Sequence, residues 1–99
     1  MVAVDKSELE RWRRLDAVVV LVAIAEHAKQ DATFVPTKDP RTTRWHATVG
    51  GHDVELLMTG PKFWDPHRNA GGGGAIDLLQ HLCGAKFKAA AQRLRALDL

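Results

Sequence analysis

Cysteine is almost missing from this chain: Cys83 is the only one in 99 residues. That excludes an internal disulfide framework and any zinc site built on several thiolates, and it fits a reducing, cytoplasmic setting. Serine is equally scarce; Ser7 stands alone near the start, and no Ser/His/Asp order of a hydrolase emerges. Long apolar runs are also lacking. The longest, Ala17 to Ala25, is nine residues, far short of the roughly 20 a membrane span requires. It follows the charged stretch Glu8–Asp16 without a convincing cleavage site, so no signal peptide is expected. Charge of one sign is not dominant either, because 14 Lys+Arg face 12 Asp+Glu. The two signs balance over residues 1–30 and again over 31–70, leaving the +2 surplus in 71–99, where Lys86, Lys88, Arg93 and Arg95 face Asp77 and Asp98. A protein held on a polyanion mainly by counterion release would be more lopsided, so a nucleic-acid role must rest on a local patch.

What is present suits one small α+β domain spanning 1–99, with 45% apolar and 26% charged residues. A chain of this length buries roughly 60–65% of its unfolded surface, enough for one core and not two. Ser7 and Glu10 have capping-box spacing, and Leu15, Val18, Val19, Val22 and Ala25 follow helical periodicity. The pattern predicts one N-terminal helix from about Glu8 to Gln30, although the β-branched run Val18–Val20 weakens it and leaves a strand as the minority alternative. Ala32–Pro36 is compatible with a short strand, and Thr37–Thr42 reads as a polar loop. Thr43, Trp45, Ala47 and Val49 alternate with polar residues, Gly50-Gly51 supplies a two-residue turn, and Val54, Leu56 and Met58 alternate in return. Closing that hairpin sets Trp45 opposite Leu56 and Ala47 opposite Val54 on a core face. Arg44 then lies opposite Leu57, and His46 opposite Glu55, on a mixed and partly exposed face. Gly60-Pro61 turns into a third strand, Lys62–Asp65.

Residues 71–99 read as a four-glycine loop, Gly71, Gly72, Gly73 and Gly74, then a helix from Ala75 to Cys83 ended by Gly84. Phe87, Ala90, Ala91, Leu94 and Leu97 mark a final amphipathic helix. The expected architecture is therefore an N-terminal helix (1–30), a three- or four-stranded antiparallel sheet (31–70), and two C-terminal helices (71–99).

Three pieces in order, Phe63-Trp64-Asp65, Gly72-Gly73-Gly74-Ala75-Ile76-Asp77-Leu78-Leu79 and Phe87-Lys88-Ala89-Ala90 with Leu94, resemble the zinc-ribbon domain of bacterial DNA primases. The likeness is closer still to the primase-like N-terminal domains of plasmid and conjugative-element proteins, and it covers about residues 43–97. It implies a non-catalytic module that contacts single-stranded template, or docks a replication enzyme, beside a separate nucleotidyl-transfer domain. Zinc-bearing members carry one Cys-x-x-His pair before the central strands and one Cys-x-x-Cys pair before the glycines. Here those regions are Pro36–Pro40 and Asp65–Asn69, and neither holds a cysteine. The resemblance thus implies a degenerate, metal-free version of the fold, in which the extended first helix replaces the lost metal as a staple.

No cofactor is expected. A substitute zinc site would draw on His46, His52, His67, His81 and Cys83, but these lack close-spaced pairs, and His81 and Cys83 diverge by about 200° on a helix. The histidines read as surface residues and Cys83 as a small buried hydrophobe. Gly71–Gly74 before a helix could cradle a phosphate, yet lacks the Gly-Lys-Ser/Thr ending; a sharp open turn between strand and helix explains the glycines without any ligand. Asp77 reads as a helix cap. The candidate nucleic-acid residues are Arg41, Arg44, His46, Lys62, Trp64 and Arg68, with Lys38 nearby: sheet aromatics stack bases while basic side chains follow phosphates. Alternation directs Trp45 to the core, so Trp64 is the stacking residue. The alternative is a small protein-interaction module acting through the sheet edge or the N-terminal helix, with a homodimer as one form.

Overall fold

The computed structural model describes residues 4–99. Helices α1 (Lys6–Arg14) and α2 (Ala17–Ile24) lead into strands β1 (His27–Gln30), β2 (Thr43–Val49), β3 (His52–Thr59), β4 (Lys62–Asp65) and β5 (Ala70–Gly73); α3 (Ala75–Cys83) and α4 (Phe87–Ala96) follow. The strands form a five-stranded antiparallel meander in chain order. The α+β class and the helix–sheet–helix order are as the sequence implies, with two strands more than its alternation alone reveals.

The N-terminal helix is divided. Leu15 and Asp16 are both extended, at ψ 133° and 134°, and the chain turns there. One straight helix from 8 to 30 would run about 34 Å. The break instead lets Trp12 of α1 and Val20, Leu21 and Ile24 of α2 enter the same core. The amide of Ala17 donates to the Gly60 carbonyl at 2.9 Å, fixing the start of α2 to the β3–β4 turn. The residues after Ile24 pair with β2 rather than continuing the helix, starting with Glu26 N–H to Thr48 O at 2.8 Å. The strand therefore lies at 27–30 and not at 32–36. The capping box also moves: Asp5 is the N-cap, its carboxylate accepting from Glu8 N–H at 2.8 Å, and Ser7 donates to the same oxygen.

The β2–β3 hairpin has the register that alternation implies, with Trp45 opposite Leu56, Ala47 opposite Val54, Arg44 opposite Leu57 and His46 opposite Glu55. Gly50 and Gly51 both have positive φ, as this two-residue turn requires. One face of the sheet sends Ala47, Val49, Leu56, Met58 and Phe63 into the core against the helices. Trp45 is half-buried on that side, its indole N–H donating to Thr43 Oγ1 at 3.0 Å. Among the described residues, the buried side chains of the helices all join this core, on this one face of the sheet.

The glycine run is a strand rather than a loop. Gly72 pairs with Phe63 and Gly71 with Trp64. At Gly71 a Cβ would stand 2.5 Å from the Phe63 carbonyl oxygen and 2.7 Å from Trp64 Cε3, so only glycine lets β5 pass beneath the indole. Gly74 caps α3, and Asp77 reaches back to accept from Gly73 N–H at 3.2 Å, in line with its expected capping role. Cys83, the last residue of α3, is exposed rather than buried. Phe87 opens α4 in an exposed position, while Ala90, Ala91 and Leu94 supply that helix's buried face.

A candidate nucleic-acid interface on the open sheet face

The open face collects the outward residues of adjacent strands. Arg44, Leu57, Trp64 and Gly71 form one cross-strand row, and Lys29, His46 and Glu55 the next. Trp64 is 41% exposed. Its Cε3 lies 2.7 Å from where a Cβ on Gly71 would stand, so the indole packs closely against β5. Beside it lies a groove of about 840 Å³ between the sheet and residues 34–42 of the β1–β2 connection. Leu57, Pro61 and Trp64 form its sheet side, and Phe34 and Pro36 stand on the connection side. Lys38, Arg41 and Lys62 line the same groove with one carboxylate, Asp39. Asp39 holds Arg41 in a two-pronged pair, Nε to Oδ1 at 3.2 Å and an amino nitrogen to Oδ2 at 2.9 Å. The guanidinium keeps the Asp39 carboxyl below the usual range, and the carboxylate raises Arg41 in turn. Among the described residues, Lys38 and Lys62 have no carboxylate partner within ion-pair distance.

Of the sequence-derived candidates, the structure brings Arg41, Lys62 and Trp64 together, with Lys38. Arg44 and His46 share the face but serve carboxylates: Arg44 pairs with Glu55 and approaches Asp31 at 3.9 Å, and His46 Nε2 lies 3.5 Å from Asp31 Oδ2. Arg68 lies apart, on the β4–β5 turn, where it donates to the His81 carbonyl at 3.4 Å and approaches Asp65 at 3.9 Å. Gly71–Gly73 belong to strand β5 instead of an open turn, and Gly71 among them lies against Trp64. Phe34 was missed by sequence reasoning because it sits outside any alternation; its one signal is an aromatic inside a stretch otherwise polar at its ends, Asp31 and Lys38.

A second polar arrangement lies on the helix side. Asp65 is 3% exposed, the one charged residue buried among the described residues. Its Oδ1 accepts from His67 N–H at 3.1 Å and Arg68 N–H at 3.2 Å, and its Oδ2 lies 2.8 Å from His81 Nε2. Burial pushes this carboxyl upward, but the His81 hydrogen bond and the two amides outweigh it, and the net direction is down. His81 also lies against the Phe63 ring, centroids 5.3 Å apart, so it is not a surface histidine. This closed set joins the β4–β5 turn to the end of α3, at the place where the resemblance would put a cysteine pair. The residues do not fit zinc: both Asp65 oxygens are taken, and among the described residues no group of three or more His, Cys, Asp or Glu side chains is arranged to hold a metal ion.

No protein-family model matches this chain, and neither a curated protein nor a solved structure matches it. Among the described residues no helix is long and apolar enough to cross a membrane.

Proposed function

We propose that this chain is a metal-free, primase zinc-ribbon-like domain of the plasmid or mobile-element kind, cytoplasmic and non-catalytic, that binds single-stranded DNA on the open face of its sheet. The observation that carries this reading is the joining of Trp64, packed against Gly71, with Lys38, Arg41 and Lys62 along one groove. An aromatic platform beside cations that follow a phosphate backbone is the working arrangement of single-strand binders. A separate nucleotidyl-transfer domain would supply the chemistry, since no nucleophile–base pair is assembled on this face.

Binding of a labelled oligonucleotide, followed by anisotropy from low to high salt, tests the reading. The two groove cations without a carboxylate partner, Lys38 and Lys62, predict a slope of log K against log salt of about −1.4 on a single strand. Trp64→Ala weakens binding about 5- to 150-fold, the loss of one stacked base. Lys62→Gln lowers the salt slope by about 0.7. Absence of binding at about 50 mM salt defeats the proposal. One observation favours the alternative interaction module: Val19 and Val22, one turn apart on the charge-free helix α2, are 44% and 54% exposed. Light scattering over a concentration series that shows dimers, lost in Val22→Lys, would move the assignment there.

A further inference from the structure

The groove beside Trp64 has a second wall, and it is built to stay in place. The connection from β1 to β2 is tied to the sheet at both ends: Asp31 N–H donates to the Arg44 carbonyl at 2.8 Å, and the Thr42 and Thr59 hydroxyls share a hydrogen bond of 2.7 Å. Between them Asp31 organises the turn that carries Phe34. Its Oδ1 accepts from the Thr33 amide at 2.9 Å and the Thr33 hydroxyl at 2.6 Å, and its carbonyl accepts from Phe34 N–H at 3.3 Å. The other carboxylate oxygen faces Arg44 and His46 of β2. These bonds, the Thr33 hydroxyl first, hold Asp31 below the ordinary carboxyl range. Arg44 and His46 therefore act through Asp31 on the segment that bears Phe34, and the cleft exists before any ligand arrives. Preformed walls reduce the ordering cost of binding.

We propose that this cleft is a nucleotide pocket of the DNA-binding face: one unstacked base enters between Phe34 and the Trp64 indole while Lys38, Arg41 and Lys62 meet its flanking phosphates. The inference rests on the single-strand-binding reading above and adds a site for one base and its flanking backbone, a second aromatic wall and positioning roles for Asp31, Arg44 and His46. The volume of about 840 Å³ lies within the roughly 300–1,000 Å³ of small-ligand sites. The lining matches the occupant, with apolar and aromatic groups at the centre and three cations against one carboxylate, itself held by Arg41, among the charged groups. A nucleotide has that division: a flat ring with two faces, joined to negative phosphates. Double-stranded DNA does not, because its bases are stacked on one another.

The test compares a short oligothymidylate with a strand of equal length that is abasic throughout, each titrated against the whole chain at low salt. Wild type is expected to bind the base-bearing strand about tenfold more tightly, with quenching of indole fluorescence. Phe34→Ala and Trp64→Leu bring that ratio close to one and leave affinity for the abasic strand within about twofold. Asp31→Ala lowers the ratio while Lys62 and Trp64 remain in place. Phe34 lies in an irregular, half-exposed segment, so its removal leaves the core intact, and an unchanged unfolding midpoint for Phe34→Ala confirms this. Equal wild-type affinity for the two strands overturns the pocket and leaves DNA binding standing. So does a Phe34→Ala variant that keeps the full ratio. Binding to neither strand overturns both proposals together.

Discussion

At the scale of single residues, Gly71 is the position where fold and site meet. The strand runs so close to β4 that any side chain at 71 meets the Phe63 carbonyl and the Trp64 ring. Gly71→Ala must move backbone as well as indole, and overpacking of this kind costs about 1–3 kcal/mol. Chemical denaturation should show that loss, together with altered Trp64 fluorescence; an unchanged midpoint would show that β5 does not pass under the indole. Trp64 itself was reached from sequence by elimination, because alternation directs Trp45 to the core, and it is 41% exposed. The roles of Arg44 and His46 were not. Their carboxylate Asp31 is 13 and 15 residues away in the chain, and only the β1–β2 pairing brings it across the face. The Asp65–His81 contact was hidden for the same reason, its partners being 16 residues apart on a strand and a helix.

At the scale of elements, the division of the N-terminal helix decides how the domain is stapled. Trp12 on α1 is 1% exposed in the core. The same helix is fastened to α4 through Glu8, which Arg95 meets at 2.8 and 2.7 Å, and to the chain end through Arg11, which donates to the Leu99 carbonyl. The expected continuous helix would have carried the same residues without this geometry. Trp12→Ala should destabilise the domain by about 3–5 kcal/mol, as truncation of a buried aromatic does. For a domain with a total stability of about 5–15 kcal/mol, that removes a large share. Thermal unfolding measures it, and a Tm within a few degrees of wild type would mean that α1 is not part of the core. The hairpin, by contrast, was readable to the register, since alternation on both strands and a Gly-Gly turn agree. Strands β1 and β5 were not readable: His27–Gln30 follows an uninterrupted apolar helix pattern, and glycines have poor intrinsic strand preference. Both form because β2 and β4 offer unpaired edges.

At the scale of the molecule, the radius of gyration is 13.2 Å, the value of about 13 Å expected for one domain of this length. Its hold at low pH should depend on Asp65. The folded-state carboxyl is depressed, so the stability it contributes is present above the unfolded value near 3.9 and is lost as pH falls through the folded one. Asp65→Asn should therefore unfold at lower temperature than wild type at pH 7, and the gap should narrow below about pH 4. A gap that stays constant from pH 7 to pH 3 would exclude the buried carboxylate as its source. Asp5, Glu8, Asp31 and Asp39 are shifted in the same direction, each by its own partner, and they add to the acid sensitivity of the whole fold.

Local pattern was enough to determine the α+β class, the central hairpin and its register, and the two C-terminal helices with their Gly84 stop. Each depends on periodicity or on turn residues within a few positions. Tertiary structure alone decided where the first helix breaks, that the glycines form a strand, which cations are held by carboxylates, and that Phe34 and Trp64 line one groove. Those depend on hydrogen bonds and close approaches between residues distant in the chain, and spacing along a sequence carries no record of them until the sheet has formed.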